Sequence, residues 1–167
     1  MEKPNTLTIL KHAFLMEKKG KNLYEKAMDH TDDDAVKSFF KELVNDEQEH
    51  MNILEKQFKA FMKHGRFVAG GFENDGGVVT APDILDAAIK DKINAASFEA
   101  TAITAAISFE KKAVDMYGTR AQEATDPEEK KLYAWLSAWE KTHLTKLMAL
   151  EETLMEDIWH DNNFWPF

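Results

Sequence analysis

The segments EKKGKNLY (residues 17–24) and EQEH (47–50) recur as EKKAVDMY (110–117) and EKTH (140–143), every member displaced by 93 positions. Glu17, Tyr24, Glu47 and His50 thus return as Glu110, Tyr117, Glu140 and His143. In each copy a lone glutamate precedes a Glu-x-x-His motif by 30 residues, an interval that a helical hairpin explains. From Glu17 to His30 a helix climbs about 20 Å, and from Asp33 to Glu47 a second descends about 21 Å. The two carboxylates then stand at one level. The second copy repeats this arithmetic from Glu110 up to Ala124 and from Asp126 back to Glu140. Two such hairpins packed face to face would set four glutamates and two histidines around one point.

The patterning on either side supports that reading. Leu7, Leu10, Phe14, Leu23, Ala27 and Met28 recur at three-to-four spacing and predict a helix over 6–30. Val36, Phe39, Phe40, Leu43, Met51, Leu54, Phe58 and Phe61 predict a second over 34–64, capped by the aspartates of Thr31–Asp34 and stopped by Gly65. Ile103, Ala106, Ile107, Ala113, Val114 and Ala121 predict a third over 101–124. Asp126-Pro127-Glu128-Glu129 combines a capping aspartate, a proline at the first helical position and acids in the first turn. It opens a fourth helix over 127–157, striped by Leu132, Leu136, Leu147, Leu150 and Leu154. The crossover, 65–100, contains GGFENDGG (70–77), which lacks the Walker pattern and reads as a connection rather than a phosphate cradle. Residues 83–94 form a short amphipathic segment expected to cover or flank one end of the bundle. The aromatic tail IWHDNNFWPF (158–167) is expected to dock on the bundle or on a neighbouring subunit. Two short turns and one long crossover predict an all-α, ferritin-like antiparallel four-helix bundle, a single domain over 1–167.

Composition sets outer limits. With 167 residues, 44% of them apolar, the chain can fill one core. Its net charge is −9, and no run of lysine and arginine points to nucleic acid. The absence of cysteine excludes disulfides, thiolate metal sites and a rubredoxin-type iron centre on these residues. No stretch has the ~18 apolar residues of a membrane span, and no signal-peptide core follows the N-terminus, so a cytoplasmic protein without membrane contact is expected.

Position gives the repeated acids their meaning. Glu17 falls among Ala13, Phe14, Gly20, Leu23 and Tyr24, and Glu110 among Ala106, Ile107, Ala113, Val114 and Tyr117. Glu47 with His50, and Glu140 with His143, likewise interrupt apolar stripes, so all six should point inward. Four ionised carboxylates buried without compensation would cost on the order of tens of kcal/mol or be forced to take up protons. Two divalent cations would balance them, and oxygen with imidazole ligands, without thiolate, favours iron or manganese over calcium or magnesium. The remaining histidines, His12, His30, His64 and His160, lack such partners and are expected at the surface.

In these six residues the chain resembles the rubrerythrin-like branch of the ferritin-like di-iron carboxylate superfamily, which takes one Glu from each of two helices and Glu-x-x-His from each of the other two. The resemblance implies a centre of two iron ions, with manganese as a possible replacement. It makes Glu47 and Glu140 bridging ligands, with Glu17, His50, Glu110 and His143 terminal. Tyr24 and Tyr117, two turns after Glu17 and Glu110, can reach back and donate to ligand carboxylates, with plain packing as the alternative. Asp46, just before Glu47, is placed to accept from His143, whereas its counterpart Trp139 has no acceptor to offer His50. The family often carries a further carboxylate where this chain has Ala113, and Gly20 is its symmetry mate. These small residues imply either open space for an oxidant or close helix packing.

The resemblance also implies an oxidoreductase that reduces hydrogen peroxide, with electrons from an external rubredoxin-like carrier. A ferritin-like iron-binding ferroxidase using dioxygen or peroxide is the alternative, and a di-metal oxidase of organic substrates a third. A homodimer is expected.

Overall fold

The structure, a computed structural model, describes residues 5–70, 89 and 98–161. Its elements are α1 (Thr6–Asp29), α2 (Asp34–His64), α3 (Phe98–Glu123) and α4 (Pro127–Asp161). The start signals act as the side chains suggest. Asn5 accepts from the Thr8 amide at 2.8 Å to open α1, and Asp33 accepts from the amides of Ala35 and Val36 at 2.9 and 3.1 Å to open α2. Asp126 does the same for Glu128 and Glu129 at 2.8 and 3.1 Å ahead of α4. Gly65 ends α2 at φ 67°, a left-handed conformation that glycine adopts without a Cβ penalty.

Two boundaries differ from the sequence reading. Helix α3 begins at Phe98 rather than 101, since Phe98-Glu99-Ala100 contains no helix breaker and places an acid in the favourable first turn. Helix α4 continues to Asp161 rather than stopping at 157, so 158–161 belong to the helix and not to a tail. Neither glycine nor proline interrupts that run before Pro166. The glycine-rich segment from 71 onward, the proposed short helix apart from Ile89, and residues 162–167 lie outside the described residues. Ile89 itself is helical and buried.

Helix α1 packs along α2 and α3, and α3 along α4. The pairing of Tyr24 with Glu110 and of Tyr117 with Glu17 runs α1 and α3 antiparallel, and His30 at the end of α1 stacks on Phe98 at the start of α3. Two apolar clusters result. One gathers Val36, Phe40, Leu43, Ile103, Leu147 and Leu150; the other gathers Leu10, Leu54, Ala113, Leu132, Tyr133 and Leu136. The six repeated polar residues lie between them on the same four helices. At the foot of α2, buried Gln57 grips the Val68 backbone in both directions, at 2.8 and 3.0 Å, and so fixes where the chain leaves the bundle. No described helix is long and apolar enough to cross a membrane.

Candidate metal centre

Each helix contributes to the centre at the level set by the hairpin arithmetic. Glu17 comes from α1, Glu47 and His50 from α2, Glu110 from α3, and Glu140 and His143 from α4. All six are buried, none more than 1% exposed. They form two lobes. Glu17, Glu47, His50 and Glu140 offer ligand atoms within 4.8 Å of one another, and so do Glu47, Glu110, Glu140 and His143. Glu47 and Glu140 belong to both.

The two shared carboxylates each face both histidines. Glu140 Oε1 lies 2.9 Å from His50 Nδ1, and its Oε2 lies 3.1 Å from His143 Nδ1. Glu47 Oε2 stands 3.9 Å from His50 Nδ1 and its Oε1 3.6 Å from His143 Nδ1. Glu17 completes one lobe at 3.0 Å from His50 Nδ1, and Glu110 the other at 3.8 Å from His143 Nδ1. The tyrosines cross between hairpins: Tyr24 donates to Glu110 Oε1, and Tyr117 to Glu17 Oε1. Each therefore braces a carboxylate of the opposite hairpin.

The polar atoms in this space do not satisfy one another. Both oxygens of Glu47 and Oε2 of Glu110 are buried without a hydrogen-bond partner, and an unsatisfied buried acceptor costs about 1–3 kcal/mol. Electrostatics carries the same message. Burial and the neighbouring carboxylate of Glu140 hold Glu47 and Glu110 well above the usual carboxylate range. Burial alone would lower both imidazoles, but Glu140 with Glu17 lifts His50 to about 10, and Asp46 with Glu140 lifts His143 to about 9. Burial also opposes ionisation of Glu140, yet the two histidines hold it well below its ordinary value. Without a cation the cluster must retain protons. Two divalent cations offset the four carboxylates with both imidazoles neutral, so this donor set fits a di-metal site.

The surroundings of the two histidines differ. His143 Nε2 meets Asp46 Oδ2 at 3.0 Å, as expected from the sequence. His50 Nε2 has no hydrogen-bond partner; its ring instead meets Trp135 and Trp139 edge-on, with centroids 5.5 and 5.4 Å away. The Trp139 indole lies close enough to the Asp46 carboxylate to help hold its pKa down, after His143, a neighbour that the sequence reading missed although Trp139 occupies the repeat position of Asp46.

Of the two readings of the small residues, the structure bears out close packing. A Cβ on Gly20 would lie 2.8 Å from Phe109 Cε1 and 3.2 Å from Glu47 Cδ, so the glycine admits a ring and a ligand rather than an oxidant. Ala113 is buried in the cluster of Leu10, Leu54 and Leu136. Close packing accounts for both positions. Among the other histidines, His12, His30 and His64 are exposed as expected, and the His160 side chain lies outside those described.

Compared with protein-family models, residues 8–151 match the one described as Rubrerythrin, a span that includes all six residues and both tyrosines. Curated proteins and solved structures return no match.

Proposed function

Because the chain belongs to the rubrerythrin family, we propose that it is a di-iron oxidoreductase that reduces hydrogen peroxide to water with electrons from an external carrier. The observation that carries this reading is the pair of lobes joined by Glu47 and Glu140, each complete with its own imidazole. Two iron ions held there would supply two electrons together, the number that peroxide takes in becoming two waters. Manganese is the alternative occupant that the same oxygen and nitrogen donors would accept.

The chain's own groups position and exclude. Tyr24 and Tyr117 hold Glu110 and Glu17 by Oε1, and Asp46 holds His143 by the nitrogen that faces away from the centre. Burial of all six residues keeps bulk water away from the reacting space. Since the 167 residues contain no cysteine, the carrier, a rubredoxin-like protein in this reading, brings its own thiolate-bound iron.

Rapid mixing of the diferrous protein with hydrogen peroxide and with dioxygen, side by side, tests the proposal. Peroxide should react faster, and steady turnover should require a reductase and a rubredoxin-like carrier. Faster reaction with dioxygen, with ferric iron accumulating far beyond two ions per chain, would instead identify a ferritin-like ferroxidase.

A further inference from the structure

Among the described residues, oxidisable rings gather on one lobe of the centre. Trp135 and Trp139 both touch the His50 ring, and the two indoles lie 5.0 Å apart. On the other flank Tyr117, bonded to Glu17, stacks on Tyr133 at 5.9 Å. The repeat does not require this. Ninety-three positions before Tyr133, Trp135 and Trp139 stand Phe40, Glu42 and Asp46.

Trp139 combines three contacts in one side chain. Its ring meets His50 of one lobe, its indole neighbours the Asp46 carboxylate that holds His143 of the other, and it is only half-buried, so it reaches the surface. A neighbouring carboxylate stabilises positive charge on that ring, more strongly than the same pair would in bulk water. Trp135 and Tyr133 lie deeper.

We propose that Trp139 surrenders a single electron when dioxygen is the oxidant, draining surplus oxidising power from the centre to the surface. The inference rests on the di-iron reading above. Reducing one dioxygen to two waters takes four electrons and four protons, and two divalent irons becoming trivalent supply two of the electrons. The third leaves the Trp139 indole, whose radical cation stays beside the Asp46 carboxylate. An external one-electron carrier provides the fourth and afterwards re-reduces the indole, while solvent water provides the protons. Hydrogen peroxide takes two electrons and two protons to give two waters, so it asks nothing of Trp139.

The test is freeze-quench electron paramagnetic resonance on protein carrying ring-deuterated tryptophan, after the iron bound per chain has been counted. Mixing with dioxygen should give a protein radical whose spectrum narrows on deuteration and is lost in Trp139→Phe; peroxide should give almost none. Peptide mapping after repeated dioxygen exposure, with the carrier limited to the fourth electron so that the indole is not re-reduced, should find indole oxidation concentrated at Trp139 rather than at Trp135, Trp159 or Trp165. The labelling and mapping use the unmutated protein, so they decide the matter even if Trp139→Phe loads iron poorly. A radical insensitive to tryptophan deuteration, one that persists in Trp139→Phe, or one of equal yield with peroxide would overturn the proposal. So would its absence in protein that holds two irons and consumes dioxygen. Failure to bind two irons would overturn the di-iron reading itself, and the relay with it.

Discussion

Asp46 makes the two halves of a symmetric repeat unequal. A carboxylate on the outer nitrogen of a ligating imidazole fixes its orientation and raises its basicity, and only His143 has one. Asp46→Ala should therefore weaken metal binding in the His143 lobe by about tenfold or more, read by competition of cobalt with a chromophoric chelator. Equal loss in both lobes, or none, would contradict this assignment.

The metal-free protein should also be sensitive to alkali. His50 and His143, raised to about 10 and about 9, contribute stability that is complete below their unfolded value of 6.5 and is lost as the pH climbs through their folded values. Glu47 and Glu110, raised in the same direction, bind protons that unfolded carboxyls have already released, and so add to the decline. Glu140 and Asp46 are lowered, so they lose stability only in acid, as the pH falls through their folded values. Melting temperature of chelator-treated protein should fall between about pH 6.5 and about pH 10, with a shallower fall once metal replaces the protons. A flat profile without metal would contradict the electrostatics.

The identity of the six inward residues was legible in the sequence because a strict repeat fixes both register and helix face. The crossing of the tyrosines was not, nor was the approach of Trp139 to Asp46. Both depend on which helices lie side by side, and spacing along one helix does not encode that.

At the scale of the helices, caps and stops were legible because their chemistry is local: Asp33, Gly65 and Asp126 each act within four residues of themselves. The two boundaries that moved, Phe98 and Asp161, have capping residue types beside them in the sequence, Ser97 and Asn162, but these lie beyond the apolar stripes that set the expected ends. Gly20 shows the limit of reading a helix alone. Taken by itself, glycine inside α1 weakens the helix by about 1 kcal/mol relative to alanine, so Gly20→Ala would look stabilising. Across the interface, however, the new methyl would press on Phe109 and on the Glu47 carboxylate, and overpacking of this kind costs about 1–3 kcal/mol. Gly20→Ala should therefore leave helix content intact in circular dichroism, lower the melting temperature of the loaded protein and weaken metal binding in both lobes, since Glu47 faces both. Unchanged metal affinity would show that Phe109 yields without disturbing Glu47.

For the molecule as a whole, the buried carboxylates are a liability that a bound cation removes. Stability and metal content are therefore linked by mass action, and the melting temperature should rise with free metal concentration when ferrous iron is added anaerobically. The architecture was legible from two short turns and one long crossover, and the family match over residues 8–151 agrees with it. Most of the crossover lies outside the described residues, and its glycines break helical periodicity without specifying another arrangement.

Whether the two lobes act as one dinuclear centre turns on Glu47 and Glu140, the carboxylates common to both. Anaerobic ferrous titration with elemental analysis tests this most directly, comparing the wild-type chain with Glu17→Ala, Glu110→Ala and Glu47→Ala. Two irons should bind per wild-type chain, with selective weakening of one site in Glu17→Ala and of the other in Glu110→Ala, and weakening of both in Glu47→Ala. No more than traces of iron in the wild-type protein, or two sites indifferent to Glu47→Ala, would contradict a shared dinuclear centre.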